Sequence, residues 1–209
     1  MRETPWLLLP VKSLRCGKRR LEPALSNADR LRLNEFFLRR MIAVAAEFPG
    51  PERTVIVSDA TDSLRLAEEL GAPAIRTERQ DLNGALADGC AELYRRGARQ
   101  IMILPVDLPL VQSSDLREIG AFGERHPIVI CPDRNAFGTN ALYLAKEFPL
   151  QFKFGDDSYR QHEAEARRLG VAPLLHYNTR IAKDVDLPTD LAVLDELASL
   201  NGRSALSHP

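Results

Sequence analysis

Five cations fall within nine residues, at Lys12, Arg15, Lys18, Arg19 and Arg20, in a chain whose net charge is only −1. Such a block is a local polyanion site able to hold a triphosphate. Lysine supplies a point charge there, and arginine a planar fork that grips two oxygens at once. A basic loop that merely stays solvated is the plain alternative. The apolar run just before it, Trp6-Leu7-Leu8-Leu9, reads as a strand, and ligands of open α/β sheets lie beyond the carboxyl ends of the strands, which favours the phosphate reading. The segment matches neither GxxxxGK[ST] nor GxGxxG, so a P-loop kinase and a Rossmann dehydrogenase are both disfavoured.

A carboxylate follows another apolar run in Ile101-Met102-Ile103-Leu104-Pro105-Val106-Asp107-Leu108-Pro109. The prolines block further ladder bonding and hold Asp107 at the sheet rim. Mg²⁺ usually takes one or two carboxylates plus substrate phosphate oxygens, which makes Asp107 a candidate ligand. Capping of the helix that follows falls instead to Ser113 or Ser114. Asp184 and Asp186 are two residues apart, so an extended segment puts both on one side, and one of them can join Asp107 at a metal. Asp184 is either that ligand or a support for it. Asp190 suits the dipole of the last helix and reads as structural.

Three further segments have the composition of ligand loops. Pro132-Asp133-Arg134-Asn135-Ala136-Phe137-Gly138-Thr139-Asn140 sets a glycine before two small polar side chains, which lets the backbone approach a ligand or simply makes a turn. Phe154-Gly155-Asp156-Asp157-Ser158 leads into a helix whose free N–H groups and Ser158 hydroxyl suit a phosphate or carboxylate; Ser158 equally suits an ordinary N-cap. His162 lies one turn on, on the same face, and either meets an anion or packs. Asn83, in Asp81-Leu82-Asn83-Gly84-Ala85, either caps a helix or reads a base edge with its amide.

Elements that could position these residues recur along the chain. Short apolar runs at 6–9, 54–57, 101–104, 128–131 and 141–144 alternate with longer amphipathic segments, the signature of an α/β fold. Helices are expected from Ser26, with Asp29 three residues on, to just before Pro49, and over 63–70, 84–96, 114–122, 158–169 and 189–200. Fully apolar strands suit a sheet covered on both faces, which favours parallel pairing and a doubly wound sheet. The polar stretch 201–209 reads as a disordered tail, leaving 1–200 as one domain.

At 209 residues and 44% apolar content the chain supports one substantial core. Its near-neutral charge offers no global field for nucleic acid, and no apolar run spans a bilayer. The start of the chain lacks an export pattern, so a soluble, cytoplasmic protein is expected. Cys16, Cys90 and Cys131 lack CxxC spacing, which argues against a zinc site or a disulfide framework.

Taken together, these segments resemble the 2-phospholactate and phosphoenolpyruvate guanylyltransferases of coenzyme F420 biosynthesis. The matching residues are Pro10-Val11-Lys12, Lys18, Arg20-Leu21, Ser58-Asp59, Leu82-Asn83, Asp107-Leu108-Pro109, Pro132-Asp133, Gly138-Thr139-Asn140, Phe154-Gly155, Ser158, His162 and Asp184-Val185-Asp186. They span about residues 6 to 195. The resemblance implies a single-domain, Rossmann-like nucleotide-diphospho-sugar transferase (GT-A-like) fold with a mostly parallel, mixed sheet. It implies that Lys18 and Arg20, with Lys12, face the phosphates of GTP, and that Asn83, Pro132 and Asp133 lie on the nucleotide side. Thr139, Gly155 and Ser158, with His162, would hold a small phosphorylated acid, and Asp107 with Asp186 would bind Mg²⁺. Two positions depart from the family pattern: Asp81 stands where glycine is usual, and Asp156-Asp157 adds negative charge beside the acceptor.

The implied acceptors are 2-phospho-L-lactate, phosphoenolpyruvate and 3-phospho-D-glycerate, and the next transferase of the F420 pathway is the expected protein partner. Sugar-phosphate nucleotidyltransferases of this fold carry a GGxGxR run in the first loop, where this chain has Cys16-Gly17-Lys18-Arg19-Arg20. A sugar-phosphate or molybdenum-cofactor-type enzyme, or a noncatalytic GTP-binding module, remain the alternatives.

Overall fold

The computed structural model describes residues 4–200; the tail assigned to 201–209 lies outside them. All five expected strands form, within one or two residues of their sequence bounds. In chain order the strands are β1 (Trp6–Pro10), β2 (Thr54–Ser58), β3 (Ala74–Arg76), β4 (Gln100–Ile103), β5 (Ile128–Pro132), β6 (Thr139–Ala145) and β7 (Leu174–Leu175). The two unexpected strands, β3 and β7, are short pieces at opposite edges of the sheet, with too few residues to show a period. The helices are α1 (Asn27–Glu47), α2 (Thr61–Glu69), α3 (Leu82–Arg95), α4 (Ser113–Gly123), α5 (Ser158–Arg168) and α6 (Ala192–Leu200).

Several helix starts correct the sequence expectation. Ser26 does cap α1, accepting from the Asp29 N–H at 3.2 Å. At α3 the cap is Asp81, whose carboxylate accepts from the Gly84 N–H at 2.8 Å, so Asn83 sits inside the helix and its amide is released for another use. Gln112, not Ser113 or Ser114, occupies the N-cap position of α4, and the Asp115 carboxylate reaches back to accept from the Gln112 N–H at 2.9 Å. Asp157 occupies the cap position of α5, which makes Ser158 the first helical residue rather than the N-cap. The segment 189–200 divides into a 3-10 turn, Pro188–Leu191, and α6. Asp190 in that turn accepts from the N–H groups of Asp186 and Leu187 at 2.9 and 2.7 Å, a structural role as expected.

The seven strands form one sheet in the order β3-β2-β1-β4-β6-β5-β7. All pairings are parallel except β4–β6 and β5–β6, so the sheet is mixed rather than uniformly parallel. Two consequences matter for function. The chain steps outward from β1 to β2 and β3 and then returns to place β4 on the other side of β1. The loops after β1 and β4 therefore diverge at a topological switch point, where open sheets bind ligands. Because β6 runs against its neighbours, its first residues, Thr139 and Asn140, come to the same rim as the carboxyl ends of β1 and β4.

Strand side chains alternate between two apolar layers, as a period of two requires. Leu7 and Leu9 pack with Leu38, Met41, Leu116 and Ile119 of α1 and α4. Leu8 packs oppositely, with Leu86 and Leu93 of α3 and Ala166 of α5. All three leucines are fully buried, each worth roughly 1.5–3 kcal/mol, and this two-sided cover anchors the strand that ends at the switch-point rim.

Candidate active site

The cationic loop after β1 is fastened by three hydrogen bonds from two helices. The Ser63 hydroxyl donates to the Lys12 carbonyl at 2.7 Å, and the Ser13 hydroxyl donates to Asp62 at 2.9 Å, both from the first turns of α2. From α1, the Asn34 amide donates to the Leu14 carbonyl at 2.7 Å. A Cβ at Gly17 would lie 2.8 Å from Asn34 Nδ2, so a side chain there would push on the amide that holds the Leu14 carbonyl. The result is a cleft of ≈ 520 Å³ whose walls include Lys12, Lys18, Arg19, Arg20, Asp107 and Asp186. Lys12, Arg19 and Arg20 are exposed and line this open space. A smaller adjoining hollow, walled by Ser58, Asp59, Arg79 and Asp81, continues the cleft over Pro10-Val11-Lys12.

Lys18 lies at the floor of the cleft, in the left-handed conformation with φ 57°. Its ammonium donates to Asp107 and, at 2.6 Å, to Asp186. Burial opposes the charge on Lys18, but the two carboxylates outweigh burial and raise its pKa above the usual lysine value. Two devices bring the acids together. The Val185 N–H donates to the Asp107 carbonyl at 3.2 Å, which pins the 184–186 segment to the loop after β4. Arg40 of α1 donates to the carbonyls of Pro109 and Val111 and steadies that loop from behind.

The second oxygen of Asp107, Oδ1, is buried and has no hydrogen-bond partner. An orphaned carboxylate oxygen next to a cation already held between two acids suits a hard metal ion such as Mg²⁺. Among the described residues no group of three or more His, Cys, Asp or Glu side chains converges as a cage. Two carboxylates with room for phosphate oxygens are nevertheless the usual pattern for this ion.

Asp184 stands apart from Asp186. Its carboxylate lies 3.4 Å from the Asn140 amide, and its carbonyl accepts from Arg134 at 2.6 Å. Burial, with the charges of Asp107 and Asp186, pushes its carboxyl above the usual range. Asp184 therefore supports the acidic segment rather than meeting Lys18.

A second group of predicted residues gathers around the start of β6. The Thr139 N–H donates to the Ser158 hydroxyl oxygen at 2.9 Å, and the Thr139 hydroxyl lies 2.9 Å from His162 Nδ1. His162 is 0% exposed and its Nε2 accepts from the Lys153 N–H at 2.9 Å. The ring thus packs inside the protein, and the reading in which it meets a ligand anion directly does not hold, because both nitrogens are already engaged. Gly155 adopts φ 129°, a conformation L side chains rarely take, and turns the chain into α5.

Asn83 belongs to this group as well. Its Nδ2 donates to the Phe154 carbonyl at 3.0 Å and its Oδ1 accepts from the Phe154 N–H at 2.8 Å, so its amide is spent on the loop before α5. Asp133 shapes its own loop, accepting from the N–H groups of Asn135 and Phe137 at 3.0 and 2.9 Å, while Pro132 closes β5 at a register shift. Sequence reasoning assigned no part to Asn34, Arg40 or Arg134. Asn34 alone left a signal, a polar residue on the buried face of α1 beside Leu33, Phe37 and Leu38.

Nucleotidyl transfer is the chemistry this rim is arranged for, because a polyanion held by exposed cations meets paired carboxylates at the switch point. The fold is shared with solved structures: a nucleotidyl transferase of Methanothermobacter thermautotrophicus superposes with TM-score 0.69 at 14% identity, covering 95% of this chain and all of the other (100%). A protein of Desulfovibrio desulfuricans G20 described as a nucleotide-diphospho-sugar transferase superposes with TM-score 0.76 at 19% identity, covering 96% of this chain and 91% of that one.

The chain belongs to the guanylyl transferase CofC-like family, whose profile matches residues 6–199. It is 37% identical over 189 residues to a phosphoenolpyruvate guanylyltransferase of Rubrobacter xylanophilus, covering 90% of this chain and 92% of the relative. It is 31% identical over 188 residues to a 2-phospho-L-lactate guanylyltransferase of M. thermautotrophicus, covering 88% and 81%. No helix among the described residues is long and apolar enough to cross a membrane.

Proposed function

We propose that this chain transfers GMP from GTP to the phosphate of a small phosphorylated carboxylic acid and releases pyrophosphate, as a cytoplasmic step of coenzyme F420 biosynthesis. The observation that carries the reading is the Lys18 ammonium held between Asp107 and Asp186 at the floor of the cationic cleft. 2-Phospho-L-lactate, phosphoenolpyruvate and 3-phospho-D-glycerate all present a phosphate and a carboxylate on three carbons, and the relatives described above are named for the first two.

In this reading a phosphate oxygen of the acceptor attacks the α-phosphorus of GTP in line. The new P–O bond forms as the bond to the α,β-bridging oxygen breaks, and that electron pair leaves with pyrophosphate. The attacking oxygen is already anionic at neutral pH, so no strong general base is required. Two polyanions must be brought together, and charge neutralisation is the main demand. Lys12, Arg19 and Arg20 meet it along the cleft, and Lys18 meets it at the floor. Asp107 and Asp186 are the residues that would hold Mg²⁺. Bound there, the ion supplies charge neutralisation at the phosphate oxygens and polarises the phosphorus under attack. The smaller hollow beside Ser58, Asp59 and Asp81 has the place of a base site. Thr139, Gly155 and Ser158 receive the acceptor at the neighbouring rim. The product, a diphosphate diester joined to a carboxylated carbon, is chemically labile, which favours direct handover to the next transferase of the pathway.

Pyrophosphate release tests the proposal, with purified protein, Mg²⁺, GTP or ATP, and each of the three acids in parallel. Turnover with GTP and one acid is expected; folded, GTP-binding protein that is silent with all three would overturn it. Asp107→Ala is expected to lower turnover by about two orders of magnitude or more, with the circular dichroism spectrum retained.

A further inference from the structure

We infer that His162 is a positioning residue whose ring makes the Thr139 hydroxyl an obligate donor toward the acceptor's anionic groups; this rests on the reading above that Thr139 and Ser158 receive the acceptor. A buried chain of hydrogen bonds fixes where each proton sits. A backbone N–H can only donate. The Lys153 N–H donates to His162 Nε2 at 2.9 Å, so Nε2 carries no proton. A neutral imidazole then keeps its proton on Nδ1.

Nδ1 lies 2.9 Å from Thr139 Oγ1, which fixes the direction of that bond: the ring donates and the hydroxyl oxygen accepts. Burial of the ring, fully inside the protein and edge-on to Phe154 with centroids 4.7 Å apart, holds it neutral. Its pKa is lowered to about 4 by that burial, against the opposing charge of Glu165.

The consequence reaches both hydroxyls. The Thr139 oxygen accepts from the ring, and the Ser158 oxygen accepts from the Thr139 N–H at 2.9 Å. Among the described residues neither hydroxyl proton has an acceptor, so both are left to donate. An anion can only accept, and a pair of committed donors is what a phosphate or carboxylate requires. The opposite tautomer would draw the Thr139 proton into the ring and turn a lone pair toward the anion, while leaving the Lys153 N–H unpaired. The polarity therefore runs one way, from the backbone before Gly155 through the ring and the hydroxyl to the acceptor. His162 touches no substrate in this arrangement and acts only through Thr139.

Amide substitutions separate the two sides of the ring. In His162→Asn the amide nitrogen takes the place of Nδ1 and keeps a donor for Thr139. In His162→Gln the amide reaches the place of Nε2, keeping an acceptor for Lys153 but losing the donor. Steady-state kinetics of both variants, of Thr139→Val and of the His162→Gln/Thr139→Val double variant, with the acid that supports turnover, test the inference.

The expected result is an acceptor KM raised about tenfold in His162→Gln and in Thr139→Val, on the scale of one hydrogen bond to a charged group. GTP KM should be unchanged, His162→Asn close to wild type, and the double variant no worse than Thr139→Val alone. Additive effects in the double variant, or His162→Asn as deficient as His162→Gln, would overturn the role of the ring while leaving the acceptor site standing. An unchanged acceptor KM in Thr139→Val would instead remove the acceptor-site reading, and this inference with it.

Discussion

Replacing Lys18 with methionine should strengthen divalent-metal binding and at the same time weaken catalysis, two effects that a simple loss of a catalytic lysine does not combine. The lysine ammonium sits between Asp107 and Asp186, the two carboxylates that would hold the metal ion. An ion bound to the free enzyme therefore competes with both contacts. The Asp107 carboxylate is mostly buried, and a charge-assisted hydrogen bond in such a place contributes about 1.5–3 kcal/mol. Asp186 is 44% exposed, and solvent screening makes its contact worth much less.

Removing the competitor is then expected to tighten metal binding by roughly ten- to a hundredfold, since about 1.4 kcal/mol corresponds to a factor of ten. Mn²⁺ in place of Mg²⁺ gives the direct assay, with free ion followed by electron paramagnetic resonance in the absence of nucleotide, and pyrophosphate release measured in parallel. Mn²⁺ binding that is unchanged or weaker in Lys18→Met would refute the competition argument whatever happens to turnover.

Acid stability offers a second check. His162 has an ordinary pKa of 6.5 when exposed and about 4 when buried, so the unfolded chain binds its proton first. The stability contributed by the neutral buried ring is present above about pH 6.5 and is lost as pH falls toward about 4, a change of up to about 3 kcal/mol. Urea midpoints near pH 7 and near pH 4.5 should show a smaller acid-induced drop in His162→Asn than in wild type, and equal drops would contradict it. Asn83→Ala removes two hydrogen bonds to the Phe154 backbone, about 1–3 kcal/mol together. It is expected to raise the acceptor KM more than the GTP KM; a change confined to GTP would restore the base-edge reading of its amide.

The amino-acid sequence determined by itself the elements and the inventory of chemistry. Apolar runs bounded by turn residues placed five strands, amphipathic spacing placed the helices but only the Ser26 cap among their starts, and the Lys12 to Arg20 block and the acids at 107 and 184–186 stood out by type and density. Each of these is a local property, legible because propensity, periodicity and charge act over a few residues.

What tertiary structure alone decided are partnerships across long stretches of chain. Lys18 meets Asp186 across 168 positions, and Asn83 meets Phe154 across 71. Nothing in either neighbourhood encodes the distant partner. The antiparallel course of β6, which brings Thr139 to the rim of β1 and β4, depends on its pairing with β4 and β5. The apolar run of that strand is compatible with either direction.

The same limit separates Asp184 from Asp186. Two acids two residues apart look alike in sequence, and only the packing of Asn140 and Arg134 against one of them leaves the other to face Lys18. His162 shows it most plainly. Its type and spacing marked it as a candidate, but whether it contacts a ligand or orients a neighbour depends on where its two ring nitrogens find their partners, and burial decided that.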